Sequence, residues 1–402
     1  MTPLAPGTIR AQLRDRVTWT VALGITLGLA SSSVGPWITG GLVETGRFGV
    51  QQASNMVTLE QITMGLVMMV LSGTVHLLPK RTLIVAGVVL ILVTQLVSYA
   101  VDGVVTMGAS RALSGIGFGV VYSIAVAWGA ATAMPERSFA AGQAMTQVTA
   151  MFLNPMLGFG SELPGHKGVF LALGLFCLIL GAPFVVLALA HHVRQSGPAA
   201  QQPQQANNAA PVHWAAVVGV LTAMTLYSIG TAGLFNFLER VAVSVGLSGA
   251  KLGTGLVVGS VVGTIGSLLA NRFGTRWGRL LPLCGGLVLL GGVSLWFLAV
   301  PNVWQFWVAI WLWAMLFSFV TPYVFGLAAA VDPSGRVAAA TGTAFIIVSA
   351  LGVSIAAYFV SHHDTTYWGW ASLLLLLGTA AVAAATNRLI ARTPAAASIA
   401  GA

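Results

Sequence analysis

Residues 168–190 read GVFLALGLFCLILGAPFVVLALA, and residues 191–211 read HHVRQSGPAAQQPQQANNAAP. The first stretch carries no charge over a length matching the roughly 20 apolar residues needed to cross the hydrocarbon core of a bilayer. The second is rich in Gln, Asn and Pro and reads as a connector. A membrane segment therefore ends at a linker here, and the same apolar runs recur on both sides of it.

Towards the N-terminus, further runs fall near 139–161, 104–130, 82–101, 56–78 and 17–40. Towards the C-terminus they fall near 213–238, 252–270, 280–299, 303–328, 337–360 and 367–387. The expectation is an all-α membrane protein with 12 transmembrane helices in two pseudo-symmetric six-helix bundles. Residues 1–190 form the first bundle, 191–212 a cytoplasmic linker and 213–402 the second bundle. Arg10, Arg14 and Arg16 ahead of the first run imitate a secretory signal. The run outlasts signal length and has no clear small-x-small cleavage site, so it reads as span one.

Composition excludes a soluble fold. Hydrophobic residues make up 57% of the 402 residues and charged residues only 7%, against about 25% charged in an ordinary soluble domain. Mean hydropathy is +0.89. A surface this poor in charge is solvated by lipid. The net charge of +9 does not indicate nucleic acid, because the basic residues sit in short loops and not on one face. Cys177 and Cys284 both fall inside apolar runs and read as small packing residues, neither a disulfide framework nor a metal site.

The basic residues also orient the chain. With the N-terminus in the cytoplasm, Arg10, Arg14, Arg16, Lys80, Arg81, Arg137, Arg194, Arg272, Arg276, Arg279, Arg336, Arg388 and Arg392 are cytoplasmic. Arg47, Lys167, Arg240 and Lys251 face outward, and Arg111 lies inside a span. This is the positive-inside bias, and it places both termini in the cytoplasm. Fifteen Arg against three Lys, with abundant Ala and Gly, suggests a GC-rich bacterial genome and hence an inner, or plasma, membrane.

The halves look related. At an offset of 195, Ser33 meets Ser228, Gly35 meets Gly230 and Glu44 meets Glu239. The loops after spans two and eight, SGTVHLLPKR from Ser72 and SLLANRFGTR from Ser267, align at the same offset. A duplicated six-helix unit is a common plan among secondary transporters.

Three segments carry a family resemblance. Asn271-Arg272-Phe273-Gly274-Thr275-Arg276 resembles the Asp-Arg-x-Gly-x-Arg loop motif of the major facilitator superfamily. The equivalent first-half loop has His76 in the place of the acid and Pro79 in the place of the Gly. Arg111, Gly115 and Gly117 in span four match the family's Arg-x-x-x-Gly-x-Gly. Span five keeps only Pro155 and Gly158 of the antiporter pattern, with Ala150, Asn154 and Phe159 at its other places. The resemblance covers nearly the whole chain. It implies a secondary transporter with a conformational latch at Asn271, Arg272, Gly274 and Arg276. It also implies a role for Arg111 in proton coupling or substrate handling, and it argues against drug:proton antiport.

The candidate site residues follow from the spans. A charge inside a span costs roughly 2.5–3.5 kcal/mol on insertion scales, so it is paired, faces a cavity or snorkels outward. Arg111 is expected to pair with Glu60, Asp102 or Glu239, all placed at outer span ends. Arg111, Gly115, Phe118 and Tyr122 share one helical face, a plausible cavity wall. Gln143, Gln147, Met151, Asn154 and Gly158 form one stripe on span five, with Gln147 and Asn154 the best ligand contacts. Span seven offers Tyr227, Asn236 and Glu239. Burial would raise the Glu239 pKa toward the working range of a proton carrier, and Glu60 at the head of span two is the second candidate. No acid is expected in the middle of a span. Trp304 and Trp307 read as an interfacial aromatic belt, while Trp311 or Trp313 faces the cavity, Trp311 being preferred. His362, His363 and Asp364 read as a solvated loop.

No G-x-x-x-x-G-K-[ST] occurs, and no span carries a nucleophile with its base or a spaced set of metal ligands. An enzyme is not expected, nor a metal, a cofactor or catalytic residues. The expected protein is a monomeric secondary active transporter. It moves a small organic solute by alternating access, with an aromatic or amphipathic carboxylate as the favoured class and proton symport as the leading mode. Its partners are the solute, a proton or other ion gradient and the bilayer. Efflux of a hydrophobic compound by proton antiport, and a transport-dead membrane sensor of the same fold, are the rival readings.

Overall fold

The computed structural model describes residues 16–74, 78–130, 135–163, 167–190, 214–273, 278–299, 302–331, 336–362 and 365–391. Both termini and the linker lie outside the described residues. Within them the chain forms fourteen α-helices and no strand. The first half holds α1 (Arg16–Ser33), α2 (Gly35–Glu44), α3 (Val50–Thr74), α4 (Lys80–Ala100), α5 (Val104–Ala130), α6 (Pro135–Ser161) and α7 (Lys167–Ala190). The second holds α8 (Trp214–Asn236), α9 (Leu238–Ser244), α10 (Gly249–Phe273), α11 (Leu280–Leu298), α12 (Val303–Val331), α13 (Arg336–His362) and α14 (Thr365–Ala391).

Ten of these helices are long and apolar enough to span a bilayer, and the bent pair α1–α2 makes an eleventh. The remaining expected span is α6, whose amides Gln143, Gln147 and Asn154 dilute its apolar character. The chain bends by 40° between α1 and α2. Pro36, the second residue of α2, has no N–H to donate and its ring crowds the carbonyl four residues back. The matching helix of the second half also breaks, at Phe237, where φ is −95° and ψ 5°. No proline lies there. Each half then turns on a glycine in the left-handed region, Gly46 at φ 68° and Gly246 at φ 83°. A side chain at either would be strained.

Packing repeats between the halves. In the first, α1 lies on α6, α3 on α5 and α4 on α7; in the second, α8 lies on α13, α10 on α12 and α11 on α14. These are the same partnerships, span for span. The halves meet along two seams, α6 against α10 and α3 against α13, with the short helices α2 and α9 touching between them. At the first seam a Cβ added to Gly158 or Gly253 would overlap the facing backbone of Gly249 or Asn154. Small residues of this kind let helices approach closely in a membrane, where burial against lipid supplies no drive. At the second seam the Thr58 hydroxyl lies 2.8 Å from the Ala350 carbonyl and 2.7 Å from the Ser354 hydroxyl.

Candidate functional site

A set of hydrogen bonds joins the halves toward the end bearing Gly46 and Gly246. Thr39 donates to Asn236 Oδ1 at 3.1 Å, Asn236 Nδ2 reaches Ser54 Oγ at 3.5 Å, and Ser354 Oγ donates to Asn55 Oδ1 at 2.9 Å. Glu162 accepts from the Ala250 N–H at 3.1 Å. Beneath this closed end lies a cavity of about 390 Å³, within the usual range for small-molecule sites of roughly 300–1,000 Å³.

The two halves line the cavity differently. Both contribute polar residues, Ser32, Ser33, Gln61, Gln147 and Asn154 from the first and Thr231, Asn236, Ser260, Ser318 and Ser349 from the second, but only the second adds rings, Phe235, Trp313, Phe317 and Phe345. The amides are held in place. Gln61 accepts from Ser32 Oγ at 3.1 Å and donates to Ser31 Oγ at 3.2 Å, while Asn154 accepts from the Trp37 indole at 3.4 Å. The rings form a near-parallel ladder. Trp313 lies 6.2 Å from Phe235 and 5.1 Å from Phe317, and Phe317 lies 6.0 Å from Tyr227. No charged side chain lines the cavity among the described residues.

Of the residues expected at a substrate site, the structure gathers Gln147, Asn154 and Asn236 on the cavity wall and places the others elsewhere. Tyr227 stands behind the ring ladder, fully buried, its hydroxyl 2.6 Å from Thr321 Oγ1. Tyr122 packs on Gly28 of α1. Trp311 donates to the Gly255 carbonyl at 3.2 Å and stacks on Trp307, while Trp313 lines the cavity. Two residues apart on a helix is about 200° of rotation, so only one of these tryptophans can face inward. Trp304 is 72% exposed, as a belt residue would be. Gly115 faces the backbone of Glu60, so the face shared by Arg111, Gly115 and Phe118 is a helix-packing face.

Arg111 lies inside the first half, fully buried. Its Nη2 donates to Ser98 Oγ at 2.6 Å, Gln95 Oε1 at 3.1 Å and the Thr94 carbonyl at 3.3 Å. Its Cζ sits 4.6 Å over the Phe170 ring. Nη1 stands 3.5 Å from Oε2 of Glu60, and Glu60 Oε1 accepts from Ser114 at 2.8 Å. Full burial is incompatible with snorkelling. Glu60 is therefore the partner of the three considered; Asp102 instead pairs with Arg47 at 2.8 Å. The expectation of no acid inside a span is corrected. The apolar run from 56 puts Glu60 at a helix head; α3 begins at Val50 and sets it mid-helix. The polar residues Gln51, Gln52 and Asn55, which imitate a loop, are helical, and Gln51 and Asn55 bond across the seam to Ser354.

Glu239 lies on α9, beyond the end of the span Trp214–Asn236. It is 3% exposed and its carboxylate packs against Gly40 of α2, with no room there for a Cβ. Burial pushes its pKa up to about 7; the nearby Glu44 charge adds to the rise and Arg240 opposes it. Of the expected latch, Arg272 closes α10 and Asn271 is helical, while Gly274 and Arg276 lie outside the described residues. His363 and Asp364 do too.

Sequence patterns had no means of finding Gln61, Ser32, Phe235 or Phe317. Each is ordinary for a membrane span, and only the packing of the helices from both halves selects the face that looks inward.

Comparison with known proteins agrees with this architecture. The family model described as Major Facilitator Superfamily matches residues 20–357. No curated protein sequence matches the chain. Among solved structures, a D-xylose-proton symporter superposes with a TM-score of 0.73 at 13% identity, over 92% of this chain and 96% of that one. A peptide transporter POT in complex with alafosfalin superposes with a TM-score of 0.68 at 14% identity, over 94% and 95%.

Proposed function

The chain belongs to the Major Facilitator Superfamily, and from that premise we propose that it is a secondary active transporter moving a small organic solute by alternating access, with proton symport as its mode. The observation that carries the reading is the cavity between the halves, closed at one end by a seam of hydrogen bonds. With both termini in the cytoplasm of a bacterium, as the basic residues suggest, the closed end is the outer one and this is an inward-facing state. The other state would form by rocking the halves about the solute. Gln147, Asn154 and Asn236 contact the solute. Arg111, Glu60 and Glu239 couple it to protons, and Asn271, Arg272, Gly274 and Arg276 latch the opposite conformation. The protein works as a monomer in the inner membrane.

The coupling follows from one buried charge pair that a proton can break. Glu60 and Arg111 neutralise one another where neither could stand alone at tolerable cost. Gln61, the next residue after Glu60, lines the cavity, so a change of charge at the pair reaches the solute through α3. The poor match of span five to the antiporter pattern favours symport over efflux.

The test is reconstitution into vesicles with a trapped pH dye. Candidate solutes are added outside, and internal pH and solute uptake are recorded together. Acidification that needs both protein and solute supports symport. Uptake without proton movement leaves a transporter but removes the coupling, and alkalinisation on solute entry favours antiport.

A further inference from the structure

Resting on the transporter reading above, we propose that the cavity takes an uncharged solute built on an aromatic ring system with hydrogen-bond acceptors on its edge.

Charge is the first filter. An ion carried into the middle of a bilayer needs a counter-charge or strong hydrogen bonds. The described lining has no Asp, Glu, Lys, Arg or His. Arg111, the one basic residue at this depth, is fully buried behind the wall and already held by Ser98, Gln95 and Glu60. An anion has no cation to meet.

The rings make the second filter. Cations are drawn to aromatic faces. Trp313 runs near-parallel to Phe235 at 16° and to Phe317 at 12°, and Phe317 to Tyr227 at 10°. Their spacings make these offset stacks, so each ring's face is already partly engaged by a neighbour's edge. No carboxylate stands in the described lining to add to the pull on a cation. Rings so arranged suit another flat ring, stacked or edge-on.

Unspent donors make the third. Trp313 is 5% exposed, yet its indole N–H has no partner, and neither has the buried hydroxyl of Ser349; both residues line the cavity. A buried donor left unpaired costs about 1–3 kcal/mol; neither atom is open to the cavity as it stands, so a solute gains from its acceptor where a small turn of the side chain brings the donor to the wall. Gln147, on the wall contributed by the first half, supplies an amide that can take the solute's polar edge.

Purified full-length protein would be tested by thermal shift and calorimetry with three scaffolds, naphthalene, quinoline and indole, each as carboxamide, carboxylate and methylamine. At least one carboxamide should raise Tm with dose, and its charged counterparts should bind at least tenfold more weakly. Trp313→Phe keeps the ring but loses the N–H, and should weaken that carboxamide threefold or more. Trp304→Phe on the lipid side should not. A carboxylate or methylamine that binds as well as its carboxamide overturns the proposal, as does failure of all three carboxamides. Spin labels at Gln52 and Ser244, in a Cys284→Ser background, report the closed end without any ligand. Two interconverting distances with failed carboxamides would leave the transporter standing and remove only the solute class. A single fixed distance under every condition would remove the transporter reading itself.

Discussion

Arg111 and Glu60 meet inside the first half with Nη1 3.5 Å from Oε2, and neither of those two atoms makes a hydrogen bond. Arg111 is held through Nη2 and Glu60 through Oε1, while Arg111 Nε also lacks a partner. The two are joined by charge without a hydrogen bond between the facing atoms. A pair that is buried but loosely joined can be broken by one proton without dismantling its surroundings.

Removing one partner should therefore be worse than removing both. Arg111→Ala or Glu60→Gln leaves one buried charge alone, which costs on the order of 3–5 kcal/mol. Each single variant should melt several degrees below wild type, and the double variant Glu60→Gln with Arg111→Met should recover most of the loss. Transport should divide differently. Glu60→Gln should lose proton-driven accumulation and keep counterflow exchange. Arg111→Ala should lose accumulation because it removes the charge facing Glu60, and Arg111→Lys because a single ammonium cannot hold Ser98, Gln95 and Thr94 with one nitrogen while facing Glu60 with another. Wild-type accumulation in Arg111→Ala vesicles would refute the coupling role.

The α6–α10 seam should be intolerant of volume. Gly158→Val and Gly253→Val place side chains where backbone already stands, so the halves must part. Both should cut transport at least tenfold in vesicles. Gly292→Ala, whose Cβ would meet nothing within 4 Å, is the control and should transport normally.

The fold was legible because lipid imposes a length and a composition on every span, and the basic loops add an independent check. The site was legible only in part, for reasons particular residues show. Glu60 was misplaced because Gln51 and Asn55 look like loop residues while serving the α3–α13 seam. Trp311 and Trp313 are equally apolar to any hydropathy scale and differ only in which way the helix turns them. Arg111 announced itself by its cost, but cost alone could not say whether its partner was protein or solute. The second helix break, at Phe237, has no proline or glycine beside it to mark it.

The loop after α10 should act on rate. Arg272 stands in the last turn of α10, at the end opposite Gly246, and is not part of the cavity wall; Arg276 follows it in the motif. Arg276→Ala should slow transport several-fold while leaving solute affinity within a few-fold of wild type, measured by calorimetry on the same preparation. Loss of affinity with an intact rate would show that the loop does not work as a latch.

The closed seam should respond to pH through Glu239. Its carboxyl sits against Gly40 at the contact of α9 with α2, a contact that parting the halves at this end would break. In that state burial first, and the Glu44 charge second, raise its pKa from an ordinary 4.5 to about 7. Once the seam opens, water restores the lower value. The closed state thus binds the proton more tightly, and by linkage its advantage is complete below about pH 4.5 and fades as pH rises through about 7. Distances between spin labels at Gln52 and Ser244 should shift toward the longer population between pH 6 and about 8, roughly a pH unit either side of that value. Glu239→Gln, uncharged at every pH, should hold the short population throughout that range and slow the outward return. Gly40→Ala should do the reverse, since a methyl group there displaces the carboxylate whatever its charge. If wild type and Glu239→Gln follow the same pH curve, the titrating group is another one, and Glu239 serves only to pack the seam.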